Sequence, residues 1–95
     1  MAAYVIYQGE ITDAARYDVY KSRAAASIEH AGGRYVARAG EVATLEGDPP
    51  PERTVVIEFP TMEAALAWYH GDEYSAAREL REGAARCRMY VVDGV

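Results

Sequence analysis

The chain has 95 residues, 51% of them apolar, with a single cysteine and a formal charge of −5. That length suits one domain spanning residues 1–95, with a workable but modest core that a partner chain would help to cover. The composition is too apolar for a disordered chain, no apolar run reaches the ~18 residues of a membrane span, and the scattered basic residues give no footprint for a nucleic-acid backbone.

The opening MAAYVIYQGE lacks the basic region and cleavage site of a signal peptide, and a lone Cys87 cannot form an internal disulfide. The expectation is a cytoplasmic protein with neither membrane nor nucleic-acid partners.

Ala3 to Gln8 is rich in β-branched and aromatic residues and reads as a first strand. Thr12-Asp13 offers a helix N-cap, after which Tyr17, Tyr20, Ala24, Ile28 and Ala31 recur at helical spacing. Gly32-Gly33 ends that helix, and Arg34 to Ala39 makes a second strand.

Gly40 to Glu52 is a loop carrying three consecutive prolines, with a short extended piece at Val42 to Leu45. Arg53 to Phe59 is a third strand. Pro60-Thr61 stops it and caps a helix from Met62 to about His70, which Gly71-Asp72 breaks or kinks. A further helical piece turns Tyr74, Ala77, Leu80 and Ala84 inward, and Arg86 to Asp93 closes the chain as a last strand.

The order βαββαβ with right-handed crossovers gives an α+β, ferredoxin-like fold: a four-stranded antiparallel sheet with two helices on one face and the first and third strands central. Strict alternation divides the strands into two sets. Val5, Tyr7, Tyr35, Ala37, Val55, Ile57, Phe59, Cys87, Met89 and Val91 should pack beneath the helices. Tyr4, Ile6, Gln8, Val36, Arg38, Val56, Glu58, Arg88, Tyr90 and Val92 should face away.

The second face is too apolar to leave in water, since burial of a large apolar side chain is worth about 1.5–3 kcal/mol. A second copy of the sheet is its simplest cover, so the expected assembly is a homodimer enclosing a cleft, a dimeric α+β barrel.

Glu58 interrupts the apolar run VVIEFP, and a carboxylate there needs a partner. Alternation puts Arg38 on the same face of the neighbouring strand, where the two can form a charge-assisted pair. Gln8, Tyr4 and Tyr90 complete a candidate ligand-binding set. Within it, Glu58 is the candidate proton acceptor; the competing reading is a structural ion pair between copies.

Trp68, Tyr69 and Tyr74 are candidates for the mouth of a pocket, against the stronger reading of helix-to-sheet packing with polar tips reaching water. His30 and His70 have no evident convergent partner, which gives no metal spacing and no cofactor. Cys87 reads as a small buried apolar residue, and the glycines match no phosphate- or dinucleotide-binding fingerprint.

Several stretches together resemble the family known as domain of unknown function 1330, within the dimeric α+β-barrel superfamily. They are AYVI, GGRYVARAGEVATLEGD, RTVVIEFPTMEAALAWYHGDEY, the following AAREL and the late strand with Arg88. Two departures are visible: Arg38-Ala39-Gly40 stands where the family tends to have Arg-Gly-Gly, and His70-Gly71-Asp72 where a Ser-Pro pair is usual.

The resemblance implies the ferredoxin-like dimer and brings no established activity. Related families include cofactor-independent monooxygenases of polycyclic aromatics, muconolactone isomerases and haem enzymes. The functional expectation is therefore a homodimer that binds a small aromatic or acidic metabolite in the cleft. The alternative is a cofactor-independent, monooxygenase- or isomerase-like enzyme acting on a small aromatic or oxygenated metabolite.

Overall fold

The computed structural model describes residues 1–95. Strand β1 (Ala3–Ile11) leads into helix α1 (Ala14–His30), followed by β2 (Arg34–Arg38), β3 (Arg53–Phe59), α2 (Met62–His70), α3 (Asp72–Arg81) and β4 (Ala85–Asp93). All pairings are antiparallel, and the strands lie in the order β2-β3-β1-β4, so β1 and β3 are central as expected. No helix is long and apolar enough to cross a membrane.

The helices start where side chains can cap them. Asp13 Oδ1 accepts from Arg16 N at 3.2 Å, and Thr61 Oγ1 accepts from Ala64 N at 3.0 Å, each satisfying an amide of the first turn. Past the end of α1, Gly32 adopts φ 84°, and Gly33 N returns to Ile28 O at 2.9 Å. Gly33 serves a second purpose, because a Cβ there would lie 2.7 Å from the ring of Phe59. The expected two helices are three: the chain extends at Gly71, whose ψ of 160° ends α2 and starts α3.

The core lies between the sheet and the helices. Val5, Tyr7, Val55, Ile57 and Phe59 from the strands meet Tyr17, Tyr20, Ala24, Ile28, Ala65, Trp68, Tyr74 and Ala77 from the helices, all buried. Trp68 is its hub, stacked 4.2 Å from Tyr74 and 5.2 Å from Phe59 between ring centroids.

Most buried polar side-chain atoms find partners, as burial requires, Arg53 Nε and Thr54 Oγ1 being the exceptions. Trp68 Nε1 donates to Ser27 Oγ at 3.0 Å, Tyr17 donates to Tyr7 at 3.0 Å, and the Tyr20 and Tyr74 hydroxyls pair at 2.8 Å. Arg81 Nη1 also donates to the Tyr74 hydroxyl at 3.0 Å.

Three expectations need correction. Val42 to Leu45 forms no strand. Cys87 does lie opposite Gly9 on the helix-facing side, yet it is exposed, because it stands near one end of edge strand β4 where the helices give no cover.

The third correction is the largest. Arg34 and Tyr35 oppose Glu58 and Ile57, but Ala37 and Arg38 then oppose Val56 and Val55. One residue, Val36, is therefore extra, a β-bulge that reverses the facing of everything after it. Ala37 moves to the open face and Arg38 to the helix side.

Just beyond the bulge, Ala39 has φ 55° while its N–H bonds to Thr54 O at 2.9 Å. A left-handed alanine is strained by its Cβ. Ala39→Gly should raise stability by about 0.5–1 kcal/mol after the extra freedom of an unfolded glycine is subtracted, a rise of a few degrees in Tm. Thermal and urea unfolding measure it; a lower midpoint in both would contradict the strain.

Candidate functional site

On the open face the register lines side chains up in rows across the strands. In the first, Arg34 lies opposite Glu58, Glu58 opposite Tyr4 and Tyr4 opposite Val92. The second runs Ala37, Val56, Ile6, Tyr90, and the third runs Thr54, Gln8, Arg88. An apolar stripe thus crosses the middle of the sheet between two polar rows.

Both polar rows are tied by hydrogen bonds. Arg34 Nε donates to Glu58 Oε1 at 2.7 Å and the Tyr4 hydroxyl donates to Glu58 Oε2 at 3.1 Å. Arg88 Nε donates to Gln8 Oε1 at 2.8 Å.

Glu58 does gain a guanidinium partner, but it is Arg34 rather than the expected Arg38. The bulge carries Arg38 away, and its guanidinium lies 4.2 Å over the Tyr35 ring on the far side of the sheet. Of the five residues expected to form the site, Tyr4 and Glu58 touch, Gln8 belongs to the other polar row, Tyr90 lies in the stripe between them, and Arg38 is absent from this face.

Electrostatics argue against Glu58 as a base. Hydrogen bonds from Arg34 and then Tyr4 hold its carboxyl below the usual glutamate pKa of 4.5, while the same carboxylate raises the phenol of Tyr4. A general base at neutral pH calls for a shift in the opposite direction. With both oxygens engaged, Glu58 is suited to fixing Tyr4 and Arg34 in place.

An apolar concave feature reaches this face at Tyr90, around the β4 edge. A cavity of about 220 Å³ is walled by Ala65, Leu66, Trp68, Tyr69 and His70 of α2 and by Val5, Met89, Tyr90 and Val91 of the sheet. Eight of its nine lining residues are hydrophobic, so it suits an apolar body. Tyr90, about half exposed, belongs both to the open-face stripe and to this wall.

Sequence reasoning did not locate this cavity, although Trp68 and Tyr69, two of its walls, were pocket-mouth candidates read mainly as packing. A further signal was Leu66, a large apolar residue beside the inward stripe of Ala65 and Trp68, and 43% exposed. It also missed the partner of His30, whose Nδ1 lies 2.8 Å from Glu73 Oε2, linking the end of α1 to the start of α3.

Because the folded pKa of Glu58 is depressed, its contribution to stability is present above the unfolded value near 4.5 and is lost as pH falls through the folded value. Urea midpoints of wild type and Glu58→Gln should therefore differ most at neutral pH and converge once pH falls below the folded value. A difference that does not shrink as the carboxylate is protonated would show that the carboxylate pairing is not the stabilising contact.

No curated protein matches the sequence. A protein of unknown function from Rhodopseudomonas palustris, RPA0582, superimposes with a TM-score of 0.78 at 16% identity, over 99% of this chain and 82% of that one. SnoaB, a cofactor-independent oxygenase from Streptomyces nogalater, gives 0.66 at 10% identity, over 99% and 93%. A dimeric protein of unknown function and ferredoxin-like fold from Bacteroides fragilis gives 0.51 at 13% identity, over 94% of each chain. At these identities the likeness is one of fold. The family model described as Domain of unknown function (DUF1330) matches residues 2–95, and the chain belongs to that family.

Proposed function

We propose that the protein is a homodimeric small-molecule binder, in which two copies cover each other's open sheet face and each holds a small aromatic ligand against α2. The observation that carries this reading is the apolar stripe of Ala37, Val56, Ile6 and Tyr90, flanked by polar rows and ending at the mouth of the apolar cavity.

An apolar strip with a polar rim is the anatomy of a protein interface. On this face Tyr90 is 53% exposed and Val92 48%, and a second copy would remove both from water. The paired rows support the same role. Both Glu58 oxygens and Gln8 Oε1 can enter an interface with a hydrogen bond already made, which lowers their desolvation penalty, while the free guanidinium N–H groups of Arg34 and Arg88 remain to be met by the partner or by water. Tyr4, Gln8 and Glu58 then line the contact between copies, and Tyr90 reaches the ligand. A neighbour of this fold is described as dimeric, which agrees with the reading.

The cavity sets the ligand class. About 220 Å³ exceeds the ~150 Å³ of a buried apolar cavity known to take benzene and falls short of the ~300–1,000 Å³ of drug-sized sites. One or two fused rings fit that interval. The lining residues that carry polar atoms are Tyr69, whose hydroxyl accepts from Arg78 Nη1 at 2.6 Å, Tyr90 and His70, a set that suits a phenol, quinone or aryl carboxylate. Turnover of such a ligand is the second reading, supported by SnoaB, a cofactor-independent oxygenase of similar fold.

Two measurements test the proposal. Light scattering should give a mass near twice 10.4 kDa, and Ile6→Glu, which puts a charge in the middle of the stripe, should give monomer with retained secondary structure. Trp68 is the only tryptophan and walls the cavity, so its fluorescence reports on occupancy. Titration with 1,4-naphthoquinone should quench it saturably in wild type, with affinity about tenfold weaker in Leu66→Arg. A monomeric wild type removes the dimer, and linear quenching identical in both proteins removes the pocket.

A further inference from the structure

On the opposite side of the molecule from the aromatic pocket, we propose a second binding site, for a small oxyanion, where α1 meets β2 and β3. It is an open cleft of about 490 Å³ lined by Asp18, Lys21 and Ser22 of α1, by Arg38 at the end of β2 and by Arg53 at the start of β3. None of its lining residues is hydrophobic, and three are cations against one carboxylate.

This concentration is notable in a chain with 15 acidic and 10 basic residues, where solvent-exposed carboxylates are plentiful. Asp18 is committed to Lys21 at 3.1 Å, and neither Arg38 nor Arg53 has a carboxylate partner. Both guanidiniums rest on aromatic faces instead, Arg38 at 4.2 Å over Tyr35 and Arg53 at 5.5 Å over Tyr17. Arg53 Nε is shut from solvent with nothing accepting from it. Two forks held by stacking, with their hydrogen-bonding capacity unspent, are suited to a carboxylate or phosphate, which arginine binds bidentately.

The backbone supports the assignment. Without the bulge at Val36, Arg38 would point to the open face; with it, Arg38 lies opposite Val55, two residues along the strand from Arg53. Bulges are a recurrent means of re-aiming a side chain. The next residue, Ala39, holds a left-handed conformation that costs energy in any residue with a Cβ. Two local irregularities therefore bracket Arg38 and set its direction. The net charge of −5 disfavours a polyanion, so the ligand is a small molecule bearing one carboxylate or phosphate.

Amide NMR titrations of the ¹⁵N-labelled protein with inorganic phosphate and, separately, acetate, at constant ionic strength set with chloride, test the site. Saturable shifts are expected at residues 18–22, 38 and 53. Saturation by phosphate alone assigns phosphorylated ligands, by acetate alone carboxylated ones, and by both any small oxyanion; each supports the site.

Arg38→Gln, an exposed position whose replacement leaves the core intact, should weaken binding about tenfold, as should Arg53→Gln. Arg86→Gln removes the same charge from β4 at the other edge of the sheet and should leave affinity within about twofold. The proposal falls if neither anion saturates, if Arg38→Gln binds like wild type, or if Arg86→Gln weakens binding as much as Arg38→Gln.

Discussion

The parity of the strands governs this molecule. Three helices cover one side of a four-stranded sheet, so each strand residue belongs either to the packed side or to the uncovered one. Every chemical property of the two sides follows from that assignment. Changing a strand's register by one residue exchanges its two sets. Nature has made that change once, within β2, by inserting Val36. The insertion separates Arg34 from Arg38: one neutralises Glu58 on the uncovered side, the other joins Lys21 and Arg53 beside α1.

The packed side has its own rule, because much of its bulk comes from tyrosines. Tyr7, Tyr17, Tyr20 and Tyr74 are buried, and each of their hydroxyls is paired with another. Burial is the main reason that the phenols of Tyr7, Tyr20 and Tyr74 resist ionisation, so these hydroxyls stay neutral donors and acceptors. Paired hydroxyls specify direction where aliphatic packing would tolerate sliding. They help to fix α1 and α3 against β1, and so fix the walls of both clefts. His30 and Glu73 tie the same two helices at their solvent end, where exposure keeps the pair weak.

Much of this architecture is legible in the sequence, for local reasons. Arg53–Phe59 is bounded by prolines on one side and Pro60 on the other, and Met62–His70 lies between a threonine cap and a glycine; both match the expected limits. The stripe Tyr17, Tyr20, Ala24, Ile28 is buried because it obeys helical spacing. What the sequence does not display depends on relations between distant segments. Val36 carries no glycine or proline to mark a bulge, and its extra residue is defined only against β3. Arg34 as the partner of Glu58 follows from that same register. Cys87 has the expected parity, but its exposure depends on how far the helices extend over β4. The cavity beside Trp68 exists only through the way α2 sits against that strand.

The two margins of the sheet are unequal. β2 is five residues long and bulged, whereas β4 runs for nine. An unpaired strand edge is an invitation to add further strands without limit, and a short, kinked one withdraws the invitation. With one margin blunted in this way, head-to-tail stacking of sheets into a filament has no regular template at β2. Contact through the broad surface, as in the proposed dimer, would be self-limiting: two copies related by a twofold axis would consume each other's surface, and growth would stop there. The single inserted residue that redirects an arginine therefore also bears on whether the protein, at high concentration, remains a countable particle.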